Sequence, residues 1–396
     1  MTKPAILQDH PDFSLVLGGP LFQLFRRSHL TGDALELLWR RVLIITGVAW
    51  LPLLLLSALS GSLYDDTAGI PFLYDIEAHA RFLIALPILI AAELVVHLRI
   101  RPVVMQFVER RIVVPEDLPK FHRAIESTLR MRNSVIGEVT LIVVIYTLGL
   151  WVWRNQIALE TASWYATPDS EGMHPTPGGY WYFFISLPVF QFILLRWYLR
   201  FFLWFSFLWR VSRLNLRLVP IHPDKTAGLS FLGRSTNAFA PILFAQGAVL
   251  AGLLASQIFY AGQNLTDFKV EIGAFIAFFV VVVFIPLTVF TPHLVRARRQ
   301  GMGEFGRLAS RYTQEFEDKW VHGDAPKDEA LLGSADIQSL ADLGNSYSFV
   351  QEMRFVPFGL KDVTKLAAVT AIPLLPLMLT VFAVEELAGY AIKVLF

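Results

Sequence analysis

The chain has 396 residues, 55% of them hydrophobic, with a mean hydropathy of +0.51 and a formal net charge of +1. Such a balance excludes an ordinary soluble domain, and the near-zero charge excludes the strongly basic surface of a nucleic-acid binder. The absence of cysteine excludes disulfides, thiolate catalysis and cysteine metal sites.

Residues 1–41 read as an amphipathic lead-in on the cytoplasmic side. Phe13, Leu17, Leu21 and Phe25 are expected in the interface plane, with a second short helix over 33–39. Its apolar run is broken by Gly18, Gly19 and Pro20 and lacks a small-residue cleavage site, so it does not read as a signal peptide. Residues 42–98 hold the first two spans, 42–60 and 82–98, around an acidic loop with Asp65, Asp66, Asp75 and Glu77. Residues 99–134 are polar and read as a helical pair bent at Pro115 and Pro119.

Residues 135–209 carry the third and fourth spans, with an irregular, proline- and glycine-rich external loop at 155–180. The fourth span, 181–209, is almost wholly apolar and aromatic apart from Arg196 and Arg200. As a helix it is roughly 43 Å long against a hydrocarbon core of about 30 Å, so it has to tilt or run past the bilayer. A turn segment follows at 210–238, then the fifth and sixth spans within 239–293. A second polar, helical segment fills 294–365, with helices expected at 304–320 and 335–354. Residues 366–396 hold a seventh span and a short tail.

The expected fold is therefore an all-α polytopic bundle of seven spans, with a cytoplasmic helical domain assembled from the inter-span segments. Basic residues orient it. With the amino terminus inside, external segments hold only Arg81, Arg154, Lys269 and Lys393 of the 34 lysines and arginines; Arg196 and Arg200 lie within a span, and the other 28 fall inside. No internal repeat is visible, which speaks against an inverted-repeat transporter.

Five ionisable residues sit in or at the edge of spans two to four, namely Glu93, His97, Glu138, Arg196 and Arg200. Arg196 and Arg200 share a helical face, and the orientation puts all five at similar depth. Intramembrane charges mark either a polar pathway, with arginines selecting anions or carboxylates relaying protons, or a structural ion-pair network. Opposite charges at one depth are expected to meet across the bundle.

The run His222-Pro223-Asp224-Lys225 matches the tripeptide of J-domain cochaperones. It follows Pro220 beneath a membrane helix, however, and does not lie between two soluble helices, so the match is set aside. Locally, Asp224 reads as the N-cap of a short interfacial helix. The functional alternative is an anion- or lipid-binding turn made by His222, Asp224, Lys225 and Arg234. In the fifth span, Ala248, Gly252 and Ser256 form a small-residue stripe suited to close helix packing. The nine histidines show no metal-ligand spacing, and there is no nucleophile elbow or Walker loop, so no metal and no cofactor are expected and the reading leans away from an enzyme.

These features point to a channel or transporter for anions or protons, oligomeric and regulated by its cytoplasmic segments, in the inner membrane of a bacterium. The expected partners are the lipid bilayer, further copies of the chain and a cytoplasmic protein, with no nucleic acid. A sensor or assembly scaffold without transport is the second reading, and an enzyme acting on lipid through His222 and Asp224 the third.

Overall fold

The computed structural model describes residues 13–20, 23, 37–64, 69–152, 163–169, 172–323, 326, 329–330 and 332–380. Leu21 and Phe25 of the lead-in, most of the expected helix at 33–39, Asp65, Asp66, Arg154, Glu171 and the tail from 381 lie outside the described residues. Helices make up most of what is described. Six are long and apolar enough to cross a membrane, or seven if the bent pair Pro115–Arg132 and Val135–Leu148 counts as one span.

The first, α1 (Leu38–Leu59), turns its apolar side outward. Leu43, Ile44, Val48, Leu51, Leu55 and Leu59 are exposed, while Arg41 and Ser57 are buried. A continuous apolar exterior around a partly polar interior is the pattern of a helix solvated by lipid rather than water. The second, α2 (Ile76–Glu109), continues well beyond the expected span and contains a π-helical stretch at Ala80–Ala85. After a turn at Pro115–Asp117 come α3 (Leu118–Arg132) and α4 (Val135–Val152), the latter exposing Val135, Ile136, Val139, Ile142 and Val143. In the loop expected to be irregular, β1 (Ala166–Asp169) and β2 (Gly172–Pro175) form a small antiparallel hairpin.

Where the fourth span was expected lies α5 (Pro177–Val211), and it too has a π-helical stretch, Tyr182–Ser186. The next helix, α6 (Ser230–Ala261), is stopped by Gly262 in the left-handed region. In its small-residue stripe, a Cβ on Gly252 would come within 2.7 Å of the Ala80 Cβ and 3.2 Å of the Glu77 Cα. The stripe is thus where α6 touches the start of α2.

One expectation has to be corrected. A polar segment beginning after the sixth span was expected to carry a separate helix at 304–320. Instead α7 runs unbroken through Leu265–Trp320. Pro286 and Pro292 are absorbed rather than breaking it. The first lies in a tighter 3₁₀ stretch, Ile285–Phe290, and the second in the first turn of the continuing α-helix, where its missing N–H costs nothing. The polar end of α7 is fastened to α8 (Ala335–Gln351): Lys319 Nζ and Trp320 Nε1 both reach Asp336 Oδ2 at 2.9 Å. The last apolar helix, α9 (Leu360–Thr380), ends in a 3₁₀ run containing Pro373 and Pro376.

Residues 13–17 also differ from expectation. They do not lie as a helix in an interface plane. Phe13 is fully buried, with its ring 4.8 Å from Phe207 and 6.4 Å from Trp204, and Leu15 and Val16 are buried beside it. Burying three apolar side chains in the bundle outweighs spreading them over an interface.

Candidate functional site

The bundle brings three helices together at Glu93, and a fourth joins them through Glu138. Its carboxylate sits on α2 among three guanidiniums. Arg41 Nη2, from the first turn of α1, is 2.6 Å from Oε2; Arg200 Nη2 is 2.5 Å from Oε1 and Arg196 Nη1 3.6 Å from it. Arg196 also places Nε 3.2 Å from Glu138 Oε1 on α4. All five side chains are 10% exposed or less. The i,i+4 spacing of Arg196 and Arg200 on α5 lets one carboxylate serve both. The Arg200 guanidinium lies 4.4 Å from the Trp197 ring centre, and the Trp197 indole donates to the Leu89 carbonyl at 3.0 Å. These contacts lock α5 against α2 at the depth of the charges.

His97, one turn beyond Glu93, has Nδ1 3.0 Å from Ser14 Oγ. Ser14 belongs to the segment 13–20, which covers this end of the network. Arg132 Nη1 donates to the Ser14 carbonyl at 2.5 Å, and Arg196 Nη2 to the Gly18 carbonyl at 3.4 Å. Gly18 and Gly19 have φ of +140° and +90°, where a side chain is strained. A Cβ on Gly19 would stand 3.1 Å from Glu138 Oε1 and 3.6 Å from Arg196 Nη2. The chain therefore lies directly on the charged groups, and only glycine allows that approach.

On the flank, Glu138 contributes to the wall of a cavity of about 590 Å³ that is otherwise apolar, formed by Pro20, Ile44, Val48, Ile142 and Phe192 among others. It lies between α1, α4 and α5.

Reasoning from the sequence missed two members. Arg41 was assigned to the basic edge of the lead-in, because its place in the first turn of a helix looked like a flank. Arg40, its neighbour in the same turn of α1, stays exposed, and nothing in the sequence separates the two. Arg132 was likewise assigned to a solvated helix.

A second polar group lies at the other end of α2 and α5. Arg81 pairs with Glu77 and donates to the Tyr182 hydroxyl. Asp75 accepts from the Ala78 N–H at 2.9 Å and from the Trp164 indole at 2.8 Å. The two π-helical stretches meet here, with the Phe82 and Tyr182 rings 5.9 Å apart. Between the polar groups lies a layer of buried apolar side chains that includes Leu86, Leu89 and Phe190. Twelve residues of α2 separate Arg81 from Glu93, about 18 Å along the axis.

The turn after α5 is built differently from the N-cap expected of it. Leu229 precedes the helix beginning at Ser230, and no side chain caps it from that position. Asp224 instead accepts three backbone N–H groups, from Thr226 at 2.9 Å and Gly228 at 3.1 Å on Oδ1, and from Ser230 at 3.1 Å on Oδ2. It thereby holds a loop in which Lys225, Ala227 and Gly228 all have positive φ. Burial pushes the Asp224 carboxyl up, but the three N–H donors outweigh it and hold the group below its usual range. His222 Nδ1 is 3.2 Å from the Asp224 N–H and 3.0 Å from Oδ1. Lys225 leaves the group altogether: its ammonium pairs with Glu352, and its carbonyl accepts from Arg354 N at 2.7 Å. Arg234 stays, lining a surface cavity together with His222 and Asp224.

Among the described residues, no cluster of histidine and carboxylate side chains has the geometry of a metal site. Compared with known proteins, the chain matches no family model, no curated sequence and no solved structure.

Proposed function

We propose that the protein is an integral membrane channel or transporter, selective for anions or protons, with the Glu93–Arg196–Arg200 network as its selective point. The observation that carries this reading is the burial of three guanidiniums and two carboxylates inside helices long enough to cross a bilayer, with Glu138 on a cavity wall. A charge in a span is expensive, and by default it marks a pathway. Two further features support it. The segment 13–20 sits on the network as a plug, and α2 and α5 carry a polar group at each end of a buried apolar layer, as two stations on one route. Paired π-helical stretches beside Arg81 and Tyr182 add weight, because such distortions recur at functional sites.

In this reading the protein lies in a bacterial cytoplasmic membrane with its amino terminus inside, and it works as an oligomer. The segments 99–134, 210–238 and 294–365 form a cytoplasmic domain that regulates it. Contacts between them support that grouping: Arg217 N donates to the Ile112 carbonyl at 2.7 Å, and Arg354 N to the Lys225 carbonyl at 2.7 Å.

A second reading is a sensor or scaffold without transport. Its favouring observation is that Arg41, Glu93, Glu138, Arg196 and Arg200 each have an opposite charge within 4 Å, as a purely structural clamp requires. The third reading, a lipid enzyme, loses its candidate base because both Asp224 oxygens serve the backbone. Purified protein in liposomes separates the first two readings. Chloride or proton flux above that of empty liposomes supports transport, and its absence with folded wild-type protein leaves the scaffold.

A further inference from the structure

Where α2 and α5 end, the chain builds a second cavity, of about 580 Å³, that the transport reading does not use. Arg110 comes directly after the last residue of α2, Arg217 a few residues past the end of α5, and Arg234 lies in the first turns of α6. All three line the cavity, with His222 beside them. Among the described residues none of the three guanidiniums pairs with a carboxylate; Arg110 lies against the Phe231 ring, 5.2 Å from its centre. The one carboxylate in the lining, Asp224, has both oxygens engaged by backbone N–H groups. The frame is fixed: the 112–113 and 216–217 backbones bond to each other, and the Asp224 loop holds the third side.

Three converging guanidiniums with no internal acceptor make a receptor for an anion with several oxygens, because each planar fork offers parallel N–H donors. The cavity lies where two helices long and apolar enough to cross a membrane end, on the side from which a lipid headgroup or a soluble phosphate would approach. The volume admits a whole headgroup or a small phosphate ester.

We infer that this cavity binds a phosphate monoester group through Arg110, Arg217 and Arg234, with His222 as a further donor. A lipid headgroup and a soluble phosphate share that chemistry. Binding here is independent of flux through the bundle.

The test uses the full chain. Native mass spectrometry of protein in nanodiscs compares phosphatidic acid with phosphatidylcholine, while thermal melting in detergent is followed against inorganic phosphate. Retention of phosphatidic acid or a phosphate-dependent rise in melting temperature is expected. A lipid response alone assigns the headgroup as the source, and a phosphate response alone assigns the soluble ester. Arg217→Gln and Arg234→Gln should each weaken binding about tenfold, and Arg234→Lys should restore only part of it. Since both arginines are exposed and unpaired among the described residues, the variants should melt as the wild type does. Removing Arg299 and Arg307, exposed arginines outside the cavity, should change nothing. Should neither probe bind, or should the Gln variants at 217 and 234 bind as tightly as the wild type, the proposal is overturned.

Discussion

Arg200 donates to Glu93 at 2.5 Å across the α2–α5 contact, and the same carboxylate oxygen lies 3.6 Å from Arg196. One carboxylate thus serves two arginines a helical turn apart, while its other oxygen takes Arg41. Glu93 is the hub on which α1, α2 and α5 converge.

Glu93→Gln should therefore be among the most damaging single changes in the bundle. It leaves three guanidiniums facing one another in a low dielectric, a loss of about 3–5 kcal/mol. Arg200→Gln should cost less, since Arg41 and Arg196 still compensate Glu93. The double variant Glu93→Gln/Arg200→Gln should recover part of the Glu93 loss. Melting temperatures in detergent give the answer, and strictly additive losses would show that the two residues are not coupled.

Asp224 predicts both a substitution effect and a pH dependence. Asp224→Asn can keep the two N–H donors on Oδ1, but it sets its own amide N–H groups against the Ser230 N–H. The expected cost is about 1–3 kcal/mol. Because the folded carboxyl titrates below its unfolded value, its contribution is fully present above the unfolded pKa and is lost as pH falls through the folded one. The difference in melting temperature between wild type and Asp224→Asn should accordingly be constant near neutral pH and shrink below about pH 4. A constant difference down to the most acidic point would contradict this role.

Gly252 tests the packing of α6 on α2. A Cβ there meets Ala80 and the Glu77 backbone too closely, so Gly252→Val should destabilise by about 1–3 kcal/mol. A valine at Gly273, where nothing lies within 4 Å of the added Cβ, should be tolerated. Equal effects at the two positions would mean the close approach does not exist.

Much of this was legible before the structure. Long apolar runs located the helices. The coincidence in depth of Glu93, Glu138, Arg196 and Arg200 is visible once the spans are drawn, because helical rise converts sequence position into depth. What sequence does not carry is azimuth. Arg41 and Arg132 looked like flanking charges because nothing local says that their helices turn those faces inward. The folding of 13–20 onto the network depends on contacts far away in sequence, such as Phe13 with Phe207. Asp224 looked like an N-cap because the short-range pattern fits one; the loop's positive-φ residues carry it on to three donors instead.

The orientation rests on the distribution of basic residues and is tested separately. Reporter fusions after Gly61 and Asn264 should report the outside, and one after Gly323 the cytoplasm. An external signal at Gly323 would reverse the assignment.

The measurement that bears most directly on the central claim is ion selectivity in proteoliposomes for wild type and Arg196→Lys. Lysine keeps the charge but gives up the fork that reaches Glu138, Glu93 and the Gly18 carbonyl together. The account predicts chloride or proton flux by the wild type, and for Arg196→Lys a changed ratio of the two at a melting temperature within a few degrees of wild type. Folded wild-type protein that passes neither ion, or an unchanged ratio in a folded Arg196→Lys variant, would contradict the claim that this network is the selective point.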